Sequence, residues 1–581
     1  MEDELRETHF AALIVGTGLT QSIVAAALAA ASYPIIHIDE QTSYGGPHAS
    51  LSISDLAEYN LVPVSPPSPE VLSKSRQYAL SLVPHLIPAA GPFVAALVNS
   101  GVARYGSFVL PKRVAVRSGE AGVFKSVPAS KQDVFRDRAI SLVQKRRLIK
   151  FLMFASGEFE GSPELSGKEQ TPLLEFLSGP FGLSADLAEA LAYAVAFCAS
   201  PQDPTLPALI RTRSYLHSTG RYGPSPFLIG HYGGAGELAQ GFCRTCAVRG
   251  GTYVLGRKVV SITREENKAG EESETTHRNR TTATGAAVST YHPPSTFEGY
   301  GTEGVEVPLT AESTTTTESS ATSEAPPATD NSTAPERPTG PLFRIQLEGF
   351  AAPFTASTLI GPEDWLNRII DNPGANEEQK STRTVRGIVI IDSPRTFSFD
   401  LGPGATQEPA EGEEGQEQET EPPRLDETLL VFPPSCGLGS EGVVTVLANG
   451  SATMSCPDGK SILYFAAQTI ALDESPKEHL APYVNAVLDA CVPRPNVHLE
   501  VFYREQEISR VAVRKADTSA PVASDPRPTT GYTSMHLTEG ADAAVQEAES
   551  VFWEVVGKKE EEGGVEFFAR VAGADDDLDD F

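Results

Sequence analysis

The sequence contains few cysteines, and they are widely scattered. The six in 581 residues are Cys198, Cys243, Cys246, Cys436, Cys456 and Cys491. This number excludes a disulfide-dense scaffold and favours a reduced, cytosolic protein. Cys243 and Cys246 form a CxxC pair, but a zinc site needs a second ligand pair, and none has suitable spacing. We therefore interpret the pair as half-buried residues of a packed helix and predict no metal site.

Basic residues are scarce relative to acidic ones. The chain has 46 Lys and Arg against 76 Asp and Glu, which gives a formal net charge of −30. This excess repels phosphate at long range, so we expect neither nucleic-acid binding nor general attachment to anionic lipid. Part of the acidity lies in low-complexity sequence such as EGEEGQEQETEPP (411–423) and the terminal DDDLDDF. The folded surface is therefore less acidic than the total suggests.

No uninterrupted hydrophobic run is a good candidate for a membrane span. The run from Phe10 to Ala31 contains two glycines and several polar residues, and it has no flanking basic anchor. It is better interpreted as a buried strand (8–15), a turn and an Ala-rich helix, followed by a second buried strand, PIIHID (34–39). The pattern predicts a β–α–β unit.

The turn of this unit resembles a dinucleotide-binding fingerprint with one change. The fingerprint is G-x-G-x-x-G, and here Gln21 stands at the third glycine after Gly16 and Gly18. Asp39 follows Gly16 by 23 positions, near the expected spacing for an acidic residue that binds a ribose hydroxyl. The third glycine allows close packing beside the pyrophosphate, and a glutamine puts a long polar side chain there. Gln21, together with the sequence blocks described below, therefore leads us to expect that Gly16, Gly18, Gln21 and Asp39 are a vestigial motif that supports turn geometry, with no cofactor.

Composition divides the rest of the chain. Longer helical patterns follow a proline-dense stretch, and Thr-, Ser-, Glu- and Pro-rich sequence later in the chain cannot bury enough apolar surface to offset its ordering entropy. We predict an α/β domain I in four parts, a helical domain II, two disordered insertions and an acidic tail. Domain I takes residues 1–65, 206–264, 342–403 and 425–557, domain II takes 66–205, the insertions are 265–341 and 404–424, and the tail is 558–581.

Three sequence blocks resemble a known superfamily. The first is GTGLTQSIVAAALA with HID and YGG following it, the second is GRYGPSPFLIGHYGGAGELAQGFCRTCAVRGGTYVL (220–255), and the third is KRRLIKFL (145–152). Together they resemble the Rab escort protein and Rab GDP-dissociation inhibitor superfamily. The resemblance implies a flavoprotein-like, Rossmann-type α/β domain I that binds no flavin, with an inserted all-helical domain II. Both branches of the superfamily bind GDP-state Rab GTPases.

The resemblance also implies a Rab-binding surface on domain I. By motif match it includes Tyr44, Arg221, Glu237, Arg244 and Tyr253; taken singly, each could equally be an ordinary surface residue or a packing aromatic. Two departures leave the fine geometry of this surface open. YGGAGELAQGF has one more residue before GEL than the family usually has, with Ala239 in place of proline, and Val254 stands where inhibitors often carry methionine.

A pattern in domain II favours an escort protein over an inhibitor. DVFRDRAISLVQKR resembles the segment with which escort proteins dock on Rab geranylgeranyltransferase through Phe135 and Arg146. We predict one helix over 130–159 with Ser130 as its N-cap. Eleven residues are about three turns, so the two side chains would face the same way, about 16 Å apart. Without the resemblance, Phe135 would more naturally be core and Arg146 a solvated charge.

The sequence-based hypothesis is therefore a non-catalytic accessory subunit with no catalytic residues. It would bind newly made Rab·GDP, present it to the transferase and deliver the geranylgeranylated product to membranes from the cytosol. The geranylgeranyl lipid would bind in an apolar groove between helices of domain II. Two alternatives stay open at this point: an inhibitor that extracts and recycles prenylated Rabs, and an FAD-dependent oxidoreductase.

Overall fold

Two large β-sheets organise this protein. The structure, a computed structural model, describes residues 8–118, 122–128, 140–265, 340–371, 381–400, 424–469, 474–517, 537–557 and 566–568. The predicted insertions 265–341 and 404–424 lie outside these ranges except for residues at their ends, as does most of the predicted tail, 558–581.

The strands and helices are numbered in chain order. The strands are β1 His9–Val15, β2 Ile35–Asp39, β3 Ser50–Leu51, β4 Leu80–Ser81, β5 Ile87–Pro88, β6 Phe108–Val109, β7 Arg113–Arg117, β8 Phe124–Ser126, β9 Phe227–Gly230, β10 Thr252–Leu255, β11 Val259–Glu265, β12 Leu342–Leu347, β13 Phe354–Pro362, β14 Ser381–Asp392, β15 Thr396–Phe397, β16 Phe399–Asp400, β17 Thr428–Phe432, β18 Val444–Asn449, β19 Lys460–Gln468, β20 Cys491–Val492, β21 Val497–Gln506 and β22 Val511–Lys515. The helices are α1 Leu19–Ala30, α2 Pro69–Ser73, α3 Pro92–Ser100, α4 Leu142–Ser156, α5 Leu173–Ser178, α6 Ala185–Ala194, α7 Thr205–Ser218, α8 Ala235–Val248, α9 Glu363–Leu366, α10 Pro476–Ala490 and α11 Gly540–Val556. None of the helices within the described ranges is long and apolar enough to cross a membrane.

The first sheet is built on the predicted β–α–β unit. Its strands stand in the order β10–β2–β1–β13–β12–β11, and β22 pairs with β13. β10, β2, β1 and β13 run parallel, which buries both faces of these strands and explains their nearly continuous apolar sequence. The register sets His37 opposite both Ile14 and Tyr253. The carboxyl ends of β1, β2 and β10 therefore lie side by side.

Helices α1, α8 and α11 cover one face of this sheet. The alanines of α1 are small enough for close packing, and the helix is buried almost throughout, from Leu19 to Ala29. Leu238 and Phe242 of α8 and Phe552 of α11 belong to the same apolar cluster. The other face of the sheet packs in a separate cluster that contains Phe10, Leu13 and Ile38.

The second sheet is mostly antiparallel, in the order β16–β8–β7–β17–β18–β19–β14–β21. Helix α10 packs on one face of it, with Leu480, Tyr483 and Val487 in the cluster. Helices α4 to α7 pack on the opposite face, in a cluster shared with Ile388 and Ile462 of the sheet. The helical part of the protein is thus attached to the second sheet.

The predicted helical range 66–205 contains strands as well as helices. β4 to β8 fall within it, and β7 joins the second sheet through parallel pairing of Val114 with Leu429. In RVAVR (113–117) a short apolar run with two β-branched valines stands between arginines, which is typical of a strand. Among the described residues, helices α4 to α7, which pack together, extend from Leu142 to Ser218.

Candidate functional site

The vestigial dinucleotide motif forms a tight turn whose polar groups are satisfied within the chain. Thr17 donates two hydrogen bonds to Oδ2 of Asp39, from its backbone N–H at 2.7 Å and from its Oγ1 at 2.6 Å. The other carboxylate oxygen accepts from the backbone N–H of Gln41 at 2.9 Å. In dinucleotide-binding domains the equivalent acid accepts from a ribose hydroxyl. Here Asp39 fixes the turn instead.

The place where a pyrophosphate would bind, at the N-terminus of α1, is filled by the chain itself. The side chain of Gln21 folds over the turn, since a Cβ built on Gly18 would lie 2.7 Å from its Oε1. Gly46 also closes on this turn, where a Cβ would lie 3.5 Å from the backbone N of Gly18. A pyrophosphate needs this helix terminus open. The residues present therefore do not fit a dinucleotide.

His37 connects this turn to β10. Its Nε2 lies 2.7 Å from the carbonyl oxygen of Gly16, and its Nδ1 lies 3.2 Å from the hydroxyl of Tyr253. Because a carbonyl oxygen only accepts, Nε2 carries the proton and Nδ1 accepts from the tyrosine hydroxyl. Complete burial lowers the pKa of His37 to about 4, so the ring is neutral at physiological pH.

Two of the predicted Rab-binding residues, Tyr44 and Tyr253, are in contact. Their ring centroids lie 6.1 Å apart, with the planes at 64°. Both side chains are half-buried. Since the hydroxyl of Tyr253 is turned inward to His37, this tyrosine supports Tyr44 from below as well as contributing to the surface.

Close approach of glycines brings the loop of Tyr44 against the start of α8. A Cβ on Gly45 would lie 3.3 Å from Cα of Gly236, and a Cβ on Gly236 would lie 2.6 Å from the backbone N of Ser50. Gly45 also has a φ of +104°, in the left-handed region. Both positions therefore need glycine. The contact places the YGG and GEL blocks next to each other, with exposed Glu237 directly after Gly236.

The exposed side of α8 carries a stripe of polar side chains. Glu237, Gln240 and Arg244 are exposed at spacings of three and four residues, which puts them on one helical face. The guanidinium of Arg244 lies 4.6 Å from the ring centroid of Tyr105, whose side chain is 54% exposed. Tyr105 was not predicted from the sequence, because only the tertiary fold brings its loop to α8.

The extra residue before GEL is taken up in a left-handed turn. Tyr232, Gly233 and Gly234 have φ angles of +53°, +85° and +74°. The backbone N–H of Tyr232 donates to the carbonyl of Thr453 at 3.1 Å, which ties this turn to the loop after β18. Glu237 still falls in the first turn of α8, so the extra residue does not displace it from the helix.

The remaining predicted positions on domain I differ in their surroundings. Arg221 is exposed in the loop between α7 and β9, with its guanidinium 5.6 Å from the ring centroid of Tyr222. Its contacts are separate from those that join Tyr44, Tyr253 and α8. Ala239 is fully buried in α8, and Val254 is half-buried in β10. Both departures from the family pattern therefore act mainly on packing beneath the surface.

The helix that carries Arg146 begins later than predicted. α4 starts at Leu142, and Ser141 caps it by accepting a hydrogen bond from the backbone N–H of Gln144 at 3.3 Å. The single helix predicted over 130–159 is not continuous, because Ile140 and Ser141 are not helical, and its predicted cap, Ser130, lies outside the described residues. Phe135 lies outside the described residues. The spacing of about 16 Å, which assumed one continuous helix, therefore does not apply.

Arg146 lies on a face of α4 that mixes apolar and basic side chains. Leu142, Val143 and Met153 are 76%, 57% and 71% exposed. Arg146 and Lys150 are exposed between them. Large apolar side chains exposed at this density on one helix indicate a contact surface for another protein.

The CxxC pair of α8 is structural. Cys243 and Cys246 are buried, and burial raises the pKa of their thiols to about 12 and about 11. The Oγ of Ser22 lies 3.2 Å from the sulfur of Cys243, so the pair packs α8 against α1. In the part of the chain that the structure describes, no group of three or more His, Cys, Asp and Glu side chains could hold a metal ion.

Comparison with known sequences gives a consistent result. Residues 5–288 match the family model described as GDP dissociation inhibitor.

The chain is 34% identical over 297 residues to Rab proteins geranylgeranyltransferase component A of Drosophila melanogaster, across 46% of this chain and 56% of that protein. It is 33% identical over 266 residues to the protein of the same name from Candida albicans, across 43% and 41%. It is 32% identical over 275 residues to Rab GDP-dissociation inhibitor of Saccharomyces cerevisiae, across 45% and 59%. The chain thus spans about half the length of the curated relatives it matches.

The fold also has a counterpart among solved structures. The crystal structure of Rab GDI from Plasmodium falciparum superposes with a TM-score of 0.59 at 16% identity, covering 95% of this chain and 99% of that one. At this identity the similarity shows the fold alone, and it confirms the predicted α/β fold class. The family match and the relatives agree with the sequence blocks that carry Tyr44 and Glu237. Residues 5–288 of this chain are therefore similar to the GDP dissociation inhibitor family.

Proposed function

We propose that this protein acts as an escort for Rab GTPases. It binds GDP-bound Rab, presents it to Rab geranylgeranyltransferase and delivers the prenylated product to membranes, without catalysing a reaction itself. The observation that carries this proposal is the joined surface of Tyr44, Glu237 and Arg244. The chain's own residues fill the place where a dinucleotide would bind, and the same region forms that surface. The curated relatives named for the transferase component support the same conclusion.

The surface has the composition expected of a site that binds another protein. Tyr44 and Tyr105 supply aromatic area, and Arg244 supplies a planar charged group already stacked on an aromatic ring. Tyrosine and arginine are over-represented among residues that carry binding energy at interfaces. Glu237 adds a negative charge at the start of the same helix face. Switch regions of a GTPase are mobile in the GDP state, and a mixed polar and aromatic surface suits such a partner.

Helix α4 would supply the contact with the transferase. Arg146 stands among exposed apolar side chains, one turn after Leu142 and two turns before Met153. Exposed apolar residues around an arginine form the kind of patch that a partner buries. Phe135, in the segment just before this helix, would add an aromatic anchor. The apolar cluster of α4 to α7 is the part of the protein in which a geranylgeranyl chain would bind, since each buried CH₂ contributes about 0.8 kcal/mol.

A reconstituted prenylation assay tests this proposal. The purified chain is added to Rab·GDP, transferase and geranylgeranyl diphosphate, and lipid transfer to Rab is measured. We expect transfer that depends on the chain. Phe135→Ala and Arg146→Ala should each reduce transferase binding by about tenfold or more while leaving Rab·GDP binding unchanged.

The control for this assay is Lys477→Ala, which removes an exposed charge from α10, on the opposite face of the second sheet from α4. It should change transferase affinity by less than about threefold. A chain that binds and extracts prenylated Rab but supports no transfer would instead be a recycling inhibitor. A purified protein that carries flavin would contradict both functions.

A further inference from the structure

Two buried residues beside the vestigial dinucleotide motif, Thr17 and His37, reach the proposed Rab-binding surface from below. Thr17 follows Gly16, the first glycine of the motif, and His37 lies on β2, two residues before Asp39. Both side chains are completely buried, so neither can touch a partner. Each makes hydrogen bonds in two directions, one toward the turn and one toward the surface.

The hydroxyl of Thr17 ties the YGG loop to the turn. Its Oγ1 donates to Asp39 at 2.6 Å and accepts from the backbone N–H of Gly45 at 3.1 Å. Gly45 is the residue after Tyr44, and it is also the glycine that meets Gly236 at the start of α8. One hydroxyl therefore fixes the backbone at the point where the two blocks of the surface meet.

His37 connects Tyr253, the second aromatic residue of the surface, to the same glycine turn. Its Nε2–H donates to the carbonyl oxygen of Gly16, and its Nδ1 accepts from the hydroxyl of Tyr253. The ring of Tyr253 in turn contacts the ring of Tyr44. The ring centroids of His37 and Tyr253 are 5.0 Å apart, so the histidine also packs against the tyrosine. Because burial lowers the pKa of His37, Nδ1 stays available as an acceptor at neutral pH.

We propose that Thr17 and His37 are positioning residues for Rab·GDP binding. Thr17 holds the backbone of the YGG loop, and His37 holds the hydroxyl of Tyr253, so that Tyr44 is presented in one orientation before a partner arrives. The proposal rests on the proposed function and adds residues that no surface pattern would single out. In effect, residues adjacent to the glycines and the acid of the vestigial motif serve here to preorganise a protein-binding surface.

Matched substitutions at Thr17 provide the first test. Thr17→Val keeps the shape and removes the hydroxyl, whereas Thr17→Ser keeps the hydroxyl. We expect Thr17→Val to weaken Rab·GDP binding about tenfold, and Thr17→Ser to stay within about twofold of the wild type. Hydrogen–deuterium exchange of the peptide that spans residues 40–50 should accelerate in Thr17→Val and not in Thr17→Ser. That exchange is read without Rab, so it reports the positioning of the loop directly.

A double-mutant cycle tests His37. His37→Gln can still donate to Gly16 but loses the acceptor for Tyr253, and Tyr253→Phe removes the hydroxyl itself. If His37 acts through that hydroxyl, His37→Gln should weaken Rab·GDP binding about fivefold alone and cause no further loss in the Tyr253→Phe background. His37→Asn, which can place an oxygen near the position of Nδ1, should retain more affinity than His37→Gln. Transferase binding through α4 should stay unchanged in all of these variants.

The outcomes separate the two proposals. A wild-type chain that does not bind Rab·GDP overturns the proposed function and this inference with it. A wild-type chain that binds, with Thr17→Val within twofold of it and loop exchange unaltered, overturns the inference about Thr17 only. Additive losses from His37→Gln and Tyr253→Phe overturn the role of His37.

Discussion

At the scale of single residues, Asp39 stabilises the glycine turn through hydrogen bonds within the chain. Its carboxylate accepts three hydrogen bonds, two from Thr17 and one from Gln41, so the buried charge is compensated entirely by the chain. The side chain of Gln21 also covers Gly18 at the N-terminus of α1. The glycine and acid pattern of a dinucleotide site is thus retained for geometry, and its polar groups are redirected inward.

A second carboxylate, that of Asp542 on α11, should lower the stability of the folded state at neutral pH. It accepts from the backbone N–H of Phe93 at 2.9 Å, and burial raises its pKa to about 6. The folded state thus binds a proton more readily than the unfolded state, and this contribution to stability falls as pH rises from about 4 to about 6. Asp542→Asn should raise the free energy of unfolding at pH 7.5 by about 1–3 kcal/mol, measured by urea denaturation.

The matched control is Glu549→Gln on the exposed side of the same helix, which should leave stability unchanged. At pH 4, where Asp542 is protonated in the folded state, Asp542→Asn should differ little from the wild type. A stabilisation of equal size at both pH values would contradict the titration argument.

At the scale of elements, the junction between the YGG loop and α8 is the least tolerant contact described. A side chain at Gly236 would meet the backbone N of Ser50 at 2.6 Å and the carbonyl of His48 at 2.7 Å. Backbone atoms cannot rotate away as side-chain tips do, so any Cβ there must push α8 from the loop. The orientation of the exposed stripe of α8 relative to Tyr44 depends on this contact.

Gly236→Ala should therefore destabilise the protein by about 1–3 kcal/mol through overpacking. It should also weaken Rab·GDP binding, since it moves Glu237 away from Tyr44. Gly241→Ala on the same helix is the comparison: its Cβ would meet only the Cγ1 of Val102, at 2.8 Å, and the helix gains propensity from alanine. Thermal denaturation together with a Rab·GDP binding titration distinguishes the two variants. Equal effects of both would show that the glycine junction has no special role.

The sequence predicted the elements of this site better than their connections. The β–α–β unit followed from buried apolar runs around a glycine turn. The start of α4 was missed although a signal exists, since Ser141 is followed three positions later by Gln144, a pattern typical of helix starts. The contacts of Thr17 with Gly45 have no such local signal, because they arise from pairing between segments far apart in sequence.

At the scale of the whole molecule, buried neutral histidines make the free energy of unfolding depend on pH. His37, His48 and His85 are buried, and burial lowers their pKa values to about 4, about 3 and about 4. The rings of His48 and His85 lie 5.5 Å apart, and the positive charge of Arg386 on β14 disfavours protonation of both. Because burying a charged ring is costly, protonation of any of these three histidines destabilises the native state.

Stability should therefore fall on acidification. Below about pH 6.5 the unfolded chain protonates these histidines, whereas the folded chain resists until about pH 4, so the unfolded state binds more protons within this window. Each histidine should contribute a loss of about 1 kcal/mol per pH unit, opposed by the gain from Asp542. Urea denaturation at pH 7, 6, 5 and 4.5 should show a steady decrease in the free energy of unfolding. His85→Gln should flatten this curve, and a wild-type curve that is already flat would refute the argument.

The bond between the hydroxyl of Thr20 on α1 and the carboxylate of Glu547 on α11 joins residues 527 positions apart. Glu547 also accepts from the backbone N–H of Val511, so α11 locks the first helix and β22 together. A ribosome adds about 5–20 residues per second, so α1 waits roughly half a minute to two minutes for its last packing partner to emerge. During that interval the part of α1 that packs against α11 is uncovered. Synthesis of this protein therefore has a long window in which molecular chaperones can bind its first elements.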